Sequence, residues 1–196
     1  MILTGYPDFA HDIVLVSYKD CEHDLKLRER YLQWLNDFEV VAPIISPELM
    51  KVKDMSFIEE SFKRFTKEDS QGFFIKHGPT DNYVGTIKLD KINLINKSGE
   101  LGIMIGDKSL WNKKLGSKAS LILMKYAFEV LQLHKIWGGT DEYNLAMQKM
   151  FLKIGFKQEG RLRQINYFND RYSDNFYYGI LRDEYFDKEK ARLKNE

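Results

Sequence analysis

The sequence predicts one mixed α+β domain around a central, mostly antiparallel sheet. Three observations carry this. Between Gly72 and Ile105, runs of β-branched and aromatic residues are separated by tight-turn residues, which marks an antiparallel meander. Gly116 to Gln132 is apolar on most of its helical surface and lies directly between two strands, as a buried crossover helix does. Two late strands flank Asn169-Asp170-Arg171, which is hairpin-turn chemistry.

In chain order, Ile13-Val14-Leu15-Val16 is the first strand. Asp24 to Asn36 repeats Leu27, Tyr31, Trp34 and Leu35 at helical spacing. Pro43 and Pro47 break the next segment into a loop. Ser56 to Lys67, with Phe57, Ile58, Phe62 and Phe65, is a second amphipathic helix. Gly72 to Lys76 is a strand and His77 to Asn82 a turn. Tyr83 to Ile95 is a long strand bent near Asp90, and Glu100 to Ile105 is the fourth strand. After the buried helix comes Lys135 to Thr140, which a right-handed crossover sets parallel to the fourth strand. Asn144 caps a helix over Leu145 to Lys153 and Gly155 ends it. Phe156 to Phe168 and Tyr172 to Leu181 close the sheet, bringing it to about seven strands. Asp187 to Glu196 is mostly charged and reads as a frayed tail. With no repeat or linker, residues 1–196 form one domain.

Composition narrows the function. Lys and Arg number 30 against 29 Asp and Glu, for a net charge of +1, so nothing draws the chain towards nucleic acid or an anionic membrane. Its apolar runs, such as Val40 to Ile45, fall far short of the roughly 20 residues of a membrane span. Cys21 is the lone cysteine, which excludes an internal disulfide and suits a reducing, cytoplasmic setting. His11, His23, His77 and His134 are scattered without metal-ligand spacing, so no metal is expected.

The informative stretch is Gly106 to Ala119, which joins a strand to the N-terminus of the buried helix. Such a junction presents unpaired N–H groups and the positive end of a helix dipole, which together hold phosphate. Gly116 allows close backbone approach, Ser117 adds a hydroxyl, and Lys113, Lys114 and Lys118 add positive charge. A helix start behind a solvated basic loop is the equally weighted alternative. No Walker-type glycine-lysine pattern is present.

Trp111-Asn112-Lys113-Lys114-Leu115-Gly116-Ser117-Lys118-Ala119 resembles the pyrophosphate loop of GNAT acetyltransferases of the RimJ/RimL type. Three further blocks resemble that subfamily in the right order: Glu100 to Gly106, Asn144 through Gly155-Phe156, and Glu159-Gly160 with Gly179 to Tyr185. The resemblance implies the GNAT fold, with the fourth and fifth strands splayed, and acetyl-CoA as co-substrate. It assigns Trp111, Asn112, Lys113, Lys114, Leu115, Gly116, Ser117 and Asn144 to the cofactor, together with the strand segment Ile103-Met104-Ile105. A backbone N–H around Met104 or Ile105 holds the acetyl oxygen, and Glu100 stands where members often carry a base acting through water. Glu100 has a second reading, as a strand carboxylate paired with a lysine.

A base matters because the attacking amine must be neutral. A lysine-like amine is neutral in about one molecule in 2,500 at pH 7, a cost of roughly 4.6 kcal/mol. Two residues depart from the family pattern. Lys114 replaces the loop's first glycine, where it is either strained at positive φ or relaxed with its ammonium turned to a phosphate. Phe151 replaces the tyrosine that protonates the departing thiolate, so no general acid is carried over. Gly138 and Gly139 mark either close approach of the pantetheine arm or a bulge.

The acceptor is a primary amine. Trp34-Leu35-Asn36-Asp37 resembles the helix of relatives that acetylate amino sugars on nucleotide carriers. Protein N-termini and polyamines are the alternatives, and a non-catalytic acyl-CoA-binding module is the competing class. Trp34 and Tyr177 are candidate acceptor contacts, although Trp34 also reads as core and Asp37 as a helix-end residue. Expected partners are a small-molecule amine or amino-sugar nucleotide, with a homodimer compatible and neither nucleic acid nor membrane.

Overall fold

The structure is a computed structural model that describes residues 1–4, 12–44 and 51–193. His11, Pro47 and the last three residues of the charged tail lie outside the described residues. Among the described residues nine strands form one sheet: β1 (Ile2–Thr4), β2 (Ile13–Ser17), β3 (Thr66–Lys67), β4 (Ser70–His77), β5 (Asn82–Asn93), β6 (Ser98–Ile105), β7 (Lys135–Asp141), β8 (Lys157–Phe168) and β9 (Arg171–Leu181). Their order is β1-β2-β4-β5-β6-β7-β9-β8, with β3 paired to β4 off this path. Every pairing is antiparallel except β6 with β7, as the crossover reading expects.

The count exceeds the expected seven for a simple reason. β1 and β3 are only three and two residues long, too short for an alternating pattern to register. β3 also shortens the second helix, α3 (Met55–Arg64), which the sequence reading carried to Lys67. Tertiary pairing of Thr66 and Lys67 with Gln71 and Ser70 overrides the helical pattern there.

The remaining helices are α1 (Leu25–Asn36), α2 (Phe38–Val41), α4 (Leu115–Lys125), α5 (Leu145–Ile154) and α6 (Arg182–Leu193). α4 does not run unbroken to Gln132 but passes into a π-helical turn over Tyr126–Val130. The frayed tail is also corrected. α6 anchors itself by burying Tyr185, whose ring stacks on Phe128 with centroids 4.9 Å apart. The Lys188 ammonium bonds the Lys153 carbonyl at 2.7 Å. The charged residues Asp187 to Lys190 lie within this helix rather than in a frayed end.

Two cores sandwich the sheet. Leu101, with Ile103 and Ile105 against it, joins the core under α4 and α5. Met104 joins the other, with Trp34 and Tyr31 of α1 and Phe62 of α3. This period-two division fixes what each strand offers to each face. Among the described residues no helix is long and apolar enough to cross a membrane.

Candidate active site

β6 and β7 pair only from Ser98 to Glu100, against Lys135 to Trp137. Beyond Glu100 they part, while β6 stays paired with β5 as far as Ile105. The backbone groups of β6 that face β7 are therefore open to a ligand. Alternation identifies them. The Met104 carbonyl faces β5, since a Cβ on Gly85 would meet it at 2.3 Å. The Leu101 carbonyl faces β7, at 2.9 Å from a Cβ on Gly138. The Ile105 carbonyl also faces away from β5 and accepts the Trp111 indole N–H at 2.8 Å. Strand groups on one residue point to one side, so the N–H groups of Ile103 and Ile105 enter the gap. The sequence left Met104 and Ile105 as equal donors; the register separates them, because Met104 turns to β5.

The loop from Gly106 to Lys114 crosses the mouth of this gap. Its short turn Lys108–Leu110 is capped by the Asp107 carboxylate, which accepts from Ser109. Asn112 and Lys114 both take left-handed backbone, with φ of 62° and 63°. The strained alternative for Lys114 is the one observed: lysine holds the conformation a glycine would hold, at a cost of roughly 1–2 kcal/mol. It is the N-cap of α4 and offers no side-chain acceptor. The first intrahelical bond runs from Lys118 N to the Lys114 carbonyl at 3.1 Å. The N–H groups of Leu115, Gly116 and Ser117 thus meet no acceptor among the described residues. They lie at the positive end of the helix dipole, where an anion is favoured.

Gly116 is required here by neither backbone nor packing. A Cβ on it would find Met150 Sδ at 3.4 Å and Ile103 Cδ1 at 3.7 Å, ordinary contacts, with no positive φ. Lys113 and Lys114 are exposed beside the helix end. Lys118 is engaged elsewhere, by Asp12.

Behind the helix end the gap is apolar, with Ile103, Met147 and Met150 packed on the core beneath α4. Phe151 is fully buried, stacked on Tyr178 with centroids 5.3 Å apart. Its ring tip comes within 2.6 Å of where a Gly138 Cβ would stand. Gly138 therefore makes room for Phe151 and for Leu101, and β7 pairs through it with β9 without a bulge. Asn144 is spent on structure: its Oδ1 accepts from Met147 N at 3.1 Å, and its Nδ2 donates to the Pro43 carbonyl at 3.0 Å.

The opposite face carries Glu100. Its carboxylate pairs with Lys91 at 2.7 Å, and this partner raises the Lys91 ammonium above the ordinary lysine range. Lys91 reaches this position through a left-handed kink, φ 51°, in the bend of β5 that the sequence located near Asp90. Its ammonium also lies 5.2 Å from the centre of the Trp137 ring, which packs on Tyr177 at 5.9 Å. Tyr177 is half-buried on this face, opposite Gly139. Trp34 is 6% exposed and lies under Gly106, where a Cβ would strike its ring at 2.2 Å. It props the loop from the core. Asp37 is held below the usual carboxylate range by Lys108, and it ends α1 and caps α2.

The GNAT acetyltransferase domain model matches residues 22–157 of the chain. The chain belongs to the GNAT acetyltransferase family. Enzymes of this family draw their acetyl group from acetyl-CoA and place it on an amine. Among curated relatives, the spermidine N(1)-acetyltransferase of Vibrio cholerae serotype O1 is 27% identical over 133 residues, covering 67% of this chain and 75% of that protein. The spermidine N(1)-acetyltransferase of Escherichia coli K12 is 26% identical over 144 residues, 74% of this chain and 72% of its own. A putative ribosomal N-acetyltransferase of Bacillus subtilis, YdaF, is 31% identical over 101 residues, 52% of this chain and 55% of its own. The crystal structure of Vibrio cholerae spermidine N-acetyltransferase with CoA and spermine superposes with a TM-score of 0.77 at 20% identity, covering 89% of this chain and 98% of that one.

The structure gathers Ile103, Ile105, Leu115, Gly116 and Ser117 of this GNAT domain at one mouth, with Trp111, Asn112, Lys113 and Lys114 in the loop beside it. Glu100 and Tyr177 lie on the other face. Trp34 packs under Gly106, and Asn144 caps α5 and bonds the Pro43 carbonyl. Sequence reasoning missed Lys91 and Trp137, the immediate neighbours of Glu100, because a kinked strand and a cross-strand pair leave no local pattern.

Proposed function

We propose that the chain transfers the acetyl group of acetyl-CoA to the primary amine of a small molecule, and that this acceptor is an amino sugar on a nucleotide carrier. One observation carries the acetyl-CoA side of this reading: the uncapped N-terminus of α4 stands at the mouth of a gap between two parting strands. The N–H groups of Leu115, Gly116 and Ser117 grip the diphosphate. The pantetheine arm follows the apolar wall of Ile103, Met147 and Met150, and the thioester carbonyl meets the N–H of Ile103 or Ile105. Donors fixed in advance at a developing oxyanion are commonly the largest catalytic contribution.

The amine nitrogen attacks the thioester carbon, the new C–N bond forms and the C–S bond breaks. The amine's proton passes through water to Glu100, and the sulfur leaves as thiolate or takes a proton from solvent. With Phe151 in place of a hydroxyl donor, the low pKa of a thiol, about 8.5, makes departure as the anion tolerable. Glu100 must release Lys91 to accept the proton, so Lys91 is part of the proposal.

A polyamine acceptor is the second reading, favoured by the spermidine acetyltransferases among the relatives. Against it, the carboxylate nearest the proposed chemistry, Glu100, is already paired with Lys91, and Glu159 with Lys135. A thiol-release assay with acetyl-CoA, a nucleotide-linked amino sugar, spermidine and a peptide N-terminus decides among them. Release with the first supports the proposal, release with spermidine alone supports the second reading, and CoA binding without release for any amine identifies a non-catalytic module.

A further inference from the structure

A cavity of about 360 Å³ opens at the tip of the β8–β9 hairpin, lined by Tyr143, Phe168, Asn169, Arg171 and Ser173. Three features of it point to a ligand. First, its place. Arg171, Ser173 and Tyr177 alternate onto one face of β9, whereas Phe176, Tyr178 and Ile180 pack beneath α4 on the other. The cavity therefore shares the face of Glu100 and Tyr177, away from the diphosphate end of α4. Tyr143 follows the end of β7, so the cavity lies at the open end of the gap. Second, its walls. Tyr143 is 62% exposed, a large flat ring left facing solvent. Phe168 is braced from behind by Phe38, with ring centroids 6.2 Å apart. Third, its charge. Arg161 is paired with Asp174, whereas Arg171 forms no ion pair among the described residues; behind the wall the buried Asp141 carboxylate accepts from the Ser173 hydroxyl and the Asn166 amide. An exposed guanidinium beside two aromatic rings binds a planar group and a phosphate, and it repels a polycation.

Resting on the reading that the acceptor amine enters on the Glu100 face, we propose that this cavity is the acceptor's specificity subsite. It takes the nucleoside diphosphate of the carrier, with Arg171 on the phosphates and Tyr143 and Phe168 against the base. The spacing suits that occupant. Ser173 precedes Tyr177 by four positions, about 13 Å along the strand at roughly 3.3 Å per residue. A diphosphate joined to a sugar ring bridges that distance to the gap.

The test compares wild type with Arg171→Gln and Arg171→Lys, each checked by thermal melt. KM is measured for a UDP-linked amino sugar, for the same amino sugar free, and for acetyl-CoA. UDP alone is also titrated calorimetrically against protein saturated with CoA. Arg171→Gln should raise KM for the UDP-linked acceptor about tenfold and weaken UDP equally, roughly 1.4 kcal/mol. Free amino sugar and acetyl-CoA should stay within about twofold, and Arg171→Lys should recover only part. An unchanged KM for the UDP-linked acceptor overturns the subsite, as does a common rise in all three or a failure of UDP to bind. If no amine releases thiol but UDP binds wild type and not Arg171→Gln, the subsite stands and the transferase reading falls.

Discussion

Replacing Gly116 by Asp should move stability and cofactor affinity in opposite directions. The new side chain has space, with its nearest neighbours at 3.4 and 3.7 Å, both ends of flexible side chains. Gly116 occupies the second position of α4, where no side chain caps the free N–H groups. Losing a helical glycine is worth about 0.5–1 kcal/mol, and a carboxylate near a helix N-terminus adds roughly 0.3–1 kcal/mol. At about 2–4 °C per kcal/mol for a chain of this size, the two together raise the melting temperature by about 2–8 °C. The same carboxylate would face a diphosphate held at that helix end, and a separation of about 5 Å serves for the magnitude. At an effective dielectric of ~20 one such pair of charges repels by about 3 kcal/mol, more than a hundredfold in Kd. Calorimetry with CoA and a melting scan on the same preparation measure both. A variant that melts higher yet binds CoA as wild type does would show that the α4 end is no diphosphate site. A variant that melts lower would show that the packing argument is wrong.

Glu100→Gln should lower turnover most at acid and neutral pH and recover towards the amine's own pKa, where no base is needed. A pH–rate profile parallel to wild type would remove Glu100 from proton transfer and leave it as the partner of Lys91. Asp90 governs acid stability. Its burial opposes ionisation, but the Ser70 hydroxyl, Lys88 and Arg64 outweigh it and hold the carboxyl below the usual aspartate range. Its contribution is therefore full above about pH 4, the unfolded value, and is lost as pH falls through the lower folded value. Asp90→Asn should cost about 1–3 kcal/mol at pH 7 and little at pH 2–3 in urea melts; an equal cost at both would mean that charge is not what Asp90 supplies.

Elements long enough to repeat were legible in the sequence. Leu27, Tyr31, Trp34 and Leu35 announced α1, and all four are buried. Asn144 and Gly155 marked both ends of α5, the latter at φ 108°. The parallel pairing of β6 and β7 followed from the buried helix between them. What escaped depends on contacts far apart in the chain. β1 exists because Ile2 to Thr4 find Val14 to Val16. α6 exists because Tyr185 finds Phe128. At the candidate site, the uncapped turn at Leu115 to Ser117 could be read locally. The left-handed Lys114 could be posed only as one of two alternatives, from the glycine that the family pattern puts there, because lysine itself carries no signal for positive φ. The Lys91 partner of Glu100 and the cavity around Arg171 arise from register and strand order, which no single stretch records.

Hydrogen exchange of the backbone amides, with and without CoA, tests the core of this account most directly. Binding should slow exchange at Leu115, Gly116 and Ser117 and at Ile103 or Ile105, while Met104, already turned to β5, changes little. Full CoA occupancy with those amides exchanging as fast as before would contradict it.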